Sequence, residues 1–152
     1  MYHVTKHYPH SLGLSVAFRQ HRADSHCQYL HGYALAFTFE FCAMELKDHW
    51  VIDFGGLKPL KEWLTETFDH RLIVSRRDPY FGDLVELAEK IPVANIHELS
   101  EVGMEAFAYL AFHQARSMLI RGGHAPRVQL AKVTVAEHEG NSASYSEPVQ
   151  FD

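Results

Sequence analysis

Between His31 and Cys42 the chain reads His-Gly-Tyr-Ala-Leu-Ala-Phe-Thr-Phe-Glu-Phe-Cys. From Leu35 to Phe41 every second side chain is large and apolar, with phenylalanine at 37, 39 and 41. That period of two belongs to a β-strand, whose successive side chains point to opposite faces. The run therefore predicts a strand with His31, Tyr33, Leu35, Phe37, Phe39 and Phe41 on one face. So aromatic a face has to be covered, and the rest of the chain must supply the cover.

The neighbouring segments follow from the same patterning. Ser11 to Gln20 alternates Leu12, Leu14, Val16 and Phe18, which predicts a strand that forms an antiparallel hairpin with the one from His31. Leu57, Leu60, Leu64 and Phe68 recur at helical spacing and predict one buried helix face. Asp53 stands just before that helix, where capping free amides is its expected work. Met104, Phe107, Ala108, Ala111, Ala115 and Met118 make a second helical stripe, closed by Gly122-Gly123. Arg127–His138 and Ser142–Phe151 read as two further strands around the turn Glu139-Gly140-Asn141. Residues 75–100 are the least regular, with a short helix expected within 79–90. Residues 1–10, with His3, His7 and His10, read as a polar entry segment. The order is strand-strand-helix-helix-strand-strand, an α+β domain with a four-stranded antiparallel sheet, and residues 1–152 form one domain.

Composition narrows the function classes. A chain of 152 residues with 47% hydrophobic and 22% charged residues has the make-up of a globular domain with a sizeable core. Its net charge of −5 argues against broad electrostatic binding of nucleic acid or of an acidic membrane. No apolar run approaches the ~20 residues of a membrane-spanning helix, and the first residues lack an apolar signal core. The two cysteines, Cys27 and Cys42, flank an extended strand; at ~3.3 Å per residue they stand too far apart for a disulfide. The expected compartment is the cytoplasm.

The chemistry concentrates in His21-Arg-Ala-Asp-Ser-His26-Cys27-Gln-Tyr-Leu-His31. A thiol among imidazoles can be activated as a base or nucleophile, although a lone cysteine is more often a small buried hydrophobe. Three ligands and an open position describe a catalytic zinc, and His31, His21 and His26 are the candidates here. A polar histidine cluster is the equal alternative. Asp69-His70 follows a helix and is able to shuttle protons, or merely to complement the helix dipole. Glu105 falls in the first turn of the second helix, where a carboxylate is favoured by the dipole. Glu137 shares strand parity with Val133 and Val135, so its carboxylate needs a partner: a ligand edge with paired N–H donors, or an arginine.

Together these stretches resemble the 6-pyruvoyl-tetrahydropterin synthase / 6-carboxy-tetrahydropterin synthase family, of the tunnelling fold. The resemblance rests on Cys27-Gln-Tyr-Leu-His31-Gly, Trp50-Val-Ile-Asp-Phe54 with Leu57-Lys58, Phe68-Asp69-His70-Arg-Leu72, and Val133-Thr-Val-Ala-Glu137 before Tyr145. It implies two helices on one face of the sheet and an oligomeric barrel, expected as a homohexamer, with sites between chains. It implies a zinc ion and a pterin triphosphate substrate, with Cys27, Asp69 and His70 as the catalytic set. It implies that Glu137 anchors the pterin ring and places Glu105 beside it. The spacing of Cys27 and His31 is that of the carboxy-tetrahydropterin synthases, lyases that act on 7,8-dihydroneopterin triphosphate toward queuosine. A pyruvoyl-tetrahydropterin synthase and a catalytically silent pterin- or purine-binding module are the alternatives. The family pattern is broken at Tyr33, which replaces the second histidine of His-Gly-His. It is broken again at Val102-Gly-Met-Glu105, where Pro-Thr-x-Glu is usual.

Overall fold

The long aromatic strand is the centre of the molecule in the computed structural model, which describes residues 1–151. It runs His31–Ala43 (β3) and is flanked on both sides. Along one edge lie first Tyr2–Tyr8 (β1) and then Leu14–Phe18 (β2), both antiparallel to it. Along the other edge lies Gln129–His138 (β6), followed outward by Asn141–Ser146 (β7), again antiparallel. The remaining strands are Arg71–Ser75 (β4) and Ile96–Leu99 (β5); β4 pairs in parallel with β2, and β5 in parallel with β4. The sheet has seven strands in the order β5-β4-β2-β3-β6-β7, with β1 on β3.

The expectation of four antiparallel strands is therefore corrected to a mixed, seven-stranded sheet. The N-terminal histidine-bearing segment is β1, held by its ladder to β3 and by the His7 ring on the Thr38 hydroxyl at 2.8 Å. Strands β4, ahead of the irregular residues 75–100, and β5, within them, are absent from the sequence expectation, because parallel pairing leaves no hairpin turn to mark it. The predicted helices are present at Lys58–Phe68 (α1) and Met104–Arg121 (α3), together with the short helix Phe81–Lys90 (α2). Both α1 and α3 cover the aromatic face, while α2 buries no residue fully. Asp53 caps a single 3-10 turn ahead of α1, accepting from the Gly55 amide at 2.9 Å.

The core is the covered face of β3. Leu35, Phe37, Phe39 and Phe41 are fully buried and meet Phe68 of α1 and Phe107 and Phe112 of α3. Burying a large apolar side chain contributes about 1.5–3 kcal/mol each, so this stripe dominates the stability of the domain. It ends at His31 and Tyr33, where the burial falls away and the polar site begins.

Candidate active site

The β2–β3 hairpin sets the first two walls of the site. Its register opposes Phe18 to His31 and Val16 to Tyr33, so Phe18, His31 and Tyr33 face the same side. Gly32 lies between them because the strands approach closely: a Cβ there would stand 2.3 Å from the Val16 carbonyl oxygen. The Nδ1–H of His31 donates to the Tyr29 carbonyl at 2.7 Å, which leaves Nε2 as the free ring nitrogen.

The loop between these strands carries Cys27 on a 3-10 turn, His26–Gln28. Ser25 caps that turn, and the Gln20 amide donates to the Cys27 carbonyl at 2.9 Å. The loop is also tied to the start of α3, because the Gln20 side chain donates to the Val102 carbonyl at 3.0 Å. Gly103 is required beside it: φ is +131°, and a Cβ would meet the Gln20 amide nitrogen at 2.3 Å. Glu105 enters the first turn of α3.

The third wall comes from β6 and β7. Their pairing slips between Ala136 and His138, so Glu137 sits at an irregularity near the end of the strand. Among the described residues no arginine pairs with Glu137. Its carboxylate accepts from the Asn141 side chain at 2.7 Å and lies 3.6 Å from the His138 ring nitrogen Nε2. Burial first, then the Glu137 carboxylate and the Cys27 thiol, push the Tyr33 phenol above its usual range. The phenol is therefore neutral and acts as a donor.

Phe18, Gln20, Cys27, His31, Glu105, Glu137 and Asn141 together border one open cleft of about 230 Å³. Four of the residues singled out in the sequence, Cys27, His31, Glu105 and Glu137, are thus brought together. The other two catalytic candidates are not. Asp69 caps the C-terminus of α1, and His70 follows in a left-handed conformation at φ +53°. The His70 backbone amide donates to the Ser15 carbonyl at 2.7 Å, and its ring Nδ1 meets the Asp69 carboxylate at 2.8 Å. This strained, anchored pair holds an imidazole that is 83% exposed. It borders a separate groove along the hairpin, with Ser15, Tyr33, Leu30 and Val93.

The expected metal ligands do not converge either. His21 lies in the turn after β2, where its charge acts on Asp78, and His26 is exposed on the 3-10 turn. Among the described residues no three histidine, cysteine, aspartate or glutamate side chains are placed to hold a metal ion. Nor does the neutral Tyr33 phenol provide a good zinc ligand. The zinc that the resemblance implies does not fit these residues. The sequence reading also passed over Arg19, Asp78, Gln20 and Asn141. Each lies far in sequence from its partner or beyond a strand end, and polar contacts of that kind carry no periodic signal.

Known proteins resemble the chain in sequence and in fold. A curated 6-carboxy-5,6,7,8-tetrahydropterin synthase from Rickettsia conorii (strain ATCC VR-613 / Malish 7) is 39% identical over 71 residues, 43% of this chain. The chain spans about half the length of that relative, 51%. The enzyme of the same name from Aquifex aeolicus (strain VF5) is 28% identical over 138 residues, covering 89% of this chain and 85% of that protein. An uncharacterized protein from Wolinella succinogenes has a similar fold, with a TM-score of 0.80 at 19% identity over 97% of this chain and 98% of that one. The 6-pyruvoyl tetrahydropterin synthase of Plasmodium falciparum follows at a TM-score of 0.68, with 14% identity over 96% of this chain and 97% of that one. The family model for 6-pyruvoyl tetrahydropterin synthase matches residues 8–148, and the chain belongs to that family.

Proposed function

We propose that the chain is a lyase of the carboxy-tetrahydropterin synthase type that acts on the side chain of a reduced pterin, 7,8-dihydroneopterin triphosphate, on the route to queuosine. The observation that carries this reading is the single cleft shared by Cys27, His31, Glu105 and Glu137. Glu137 is pre-oriented by Asn141 and presents a carboxylate to an amino-pyrimidinone edge, whose paired N–H groups match it in bidentate fashion. Cys27 then stands toward the side chain of the ring, where a thiolate removes a carbon-bound proton. The name shared by the rickettsial and Aquifex relatives favours the carboxy product over the pyruvoyl one.

Asp69 and His70 complete the site from a neighbouring copy. The exposed imidazole borders the separate groove beside Leu30 and Val93, which are 51% and 61% exposed. Apolar side chains flanking a strained, pre-ordered dyad suit a subunit contact. The free edges of β1 and β7 provide further strand surface for a ring, and we assign a homohexamer.

The test is complementation. Cys27→Ala and His70→Ala are each expected to be inactive with 7,8-dihydroneopterin triphosphate. Mixed and reassembled, they are expected to regain a fraction of parent activity, because some sites then draw an intact Cys27 and an intact His70 from different chains. Full activity of the His70→Ala protein alone would overturn the shared site. A parent protein that binds the pterin but releases no product would instead make the chain a binding module.

A further inference from the structure

We propose that this cleft takes its ligand without a metal ion, because Phe18 and Tyr33 fill two of the three places around His31 from which ligands would close on one. The triangle they form is measurable. Ring centres lie 5.0 Å apart for Phe18 and His31, 5.6 Å for His31 and Tyr33, and 6.2 Å for Phe18 and Tyr33. Three imidazoles on one tetrahedral zinc, with zinc–nitrogen bonds of about 2.1 Å, put their ring centres about 5 Å apart. The triangle therefore has the size of a three-histidine centre, and the hairpin register fixes its corners. Phe18 is the cross-strand partner of His31, and Tyr33 is the next residue on the same face of β3.

Only one corner can ligate. A benzyl ring has no donor atom, and a phenol is not among the usual nitrogen, sulfur and carboxylate ligands of zinc. No other side chain closes the gap. Cys27 and Glu137 border the same cleft, but the described residues contain no set of three ligands around one point.

The cleft has positive features for a ligand. Phe18 stands edge-on to Phe107 at 5.5 Å and 86°, a rigid apolar wall for one face of a flat heteroaromatic ring. Glu137 accepts from the Asn141 side chain at 2.7 Å, so the carboxylate is ordered by a donor from the protein. Its remaining lone pairs are left for the ligand. The identity of that ligand as a pterin rests on the function proposed above; the statement about the metal does not.

The test uses the full chain, incubated with excess zinc and desalted, with metal content read by elemental analysis. The parent is expected to retain far less than one zinc per chain. Its affinity for neopterin, read by fluorescence quenching, is expected to be the same with and without EDTA. The Phe18→His/Tyr33→His double variant is expected to retain about one zinc per chain, which EDTA removes. Stoichiometric zinc in the parent that His31→Ala abolishes would overturn the proposal. So would a double variant with the parent's circular dichroism that holds no more zinc than the parent. If the double variant does not fold, the parent's metal content decides alone. A parent that holds no zinc and binds no neopterin would sustain the metal-free site and overturn the pterin reading.

Discussion

The Arg19 guanidinium donates two hydrogen bonds to the Asp78 carboxylate, at 2.7 and 3.2 Å, and a third to the Gln28 carbonyl at 2.7 Å. Asp78 is almost completely buried, its side chain 1% exposed, and it also accepts from the Tyr80 amide at 2.9 Å. One ion pair thus joins the end of β2, the far end of the Cys27 turn and the loop ahead of α2. Gln20 makes the matching connection to the start of α3. The loop that carries the thiol is short and polar, and these contacts fix its position.

Removing one partner of a buried pair leaves the other charge uncompensated. Asp78→Ala is expected to cost ~3–5 kcal/mol of stability, measured by urea denaturation. A loss below ~1 kcal/mol would show that water reaches Arg19 and replaces the carboxylate.

The same pair predicts a pH dependence. Burial pushes the Asp78 carboxyl up, but the hydrogen bonds from Arg19 and the Tyr80 amide, with the charges of Arg19 and His21, outweigh it and hold it below its usual value. A carboxylate with a depressed folded-state pKa contributes stability above its unfolded value of ~3.9, and loses it as pH falls through the folded value. The stability difference between parent and Asp78→Asn should be constant from neutral pH down to ~5, then shrink below ~4. A difference that persists unchanged at pH 3 would assign the effect to packing.

Cys27→Ala is expected to abolish turnover and leave neopterin affinity within ~3-fold of the parent, because the thiol serves the side chain of the ring and not the ring itself. Retained turnover would remove Cys27 from the catalytic set.

Glu137→Gln is expected to do the reverse at the binding step. An amide accepts with one oxygen where the carboxylate accepts with two, and the lost charge-assisted bond is worth ~1.5–3 kcal/mol of pterin affinity. Calorimetric titration with neopterin reads this directly; unchanged affinity would make Glu137 a structural carboxylate held by Asn141.

Phe107 links the core to the site. It is fully buried and packs edge-on against Phe18 at 5.5 Å and against Phe68 at 5.3 Å. Phe107→Ala is expected to cost ~3–5 kcal/mol through the cavity it leaves, with the Phe18 wall loosened as well. A cost near 1 kcal/mol would mean that α3 and the hairpin collapse together over the gap.

What the sequence determined by itself was everything written in a repeating pattern. The alternation through Phe37, Phe39 and Phe41 specified β3 and its buried face, and the spacings of Leu57–Phe68 and Met104–Met118 specified the two covering helices, because periodic burial needs periodic side chains. It also named Cys27 and His31, a thiol among imidazoles, Glu105, a carboxylate in the first turn of a helix, and Glu137, a carboxylate on an apolar strand face. The tertiary structure decided the rest. Register alone opposed Phe18 to His31, and among the described residues the three histidines nearest in sequence do not converge on one point. The parallel pairs β2–β4 and β4–β5 join segments far apart along the chain, and no local turn announces them. Asp69 and His70, just ahead of β4, lie apart from the cleft of Cys27, and His70 borders a different groove.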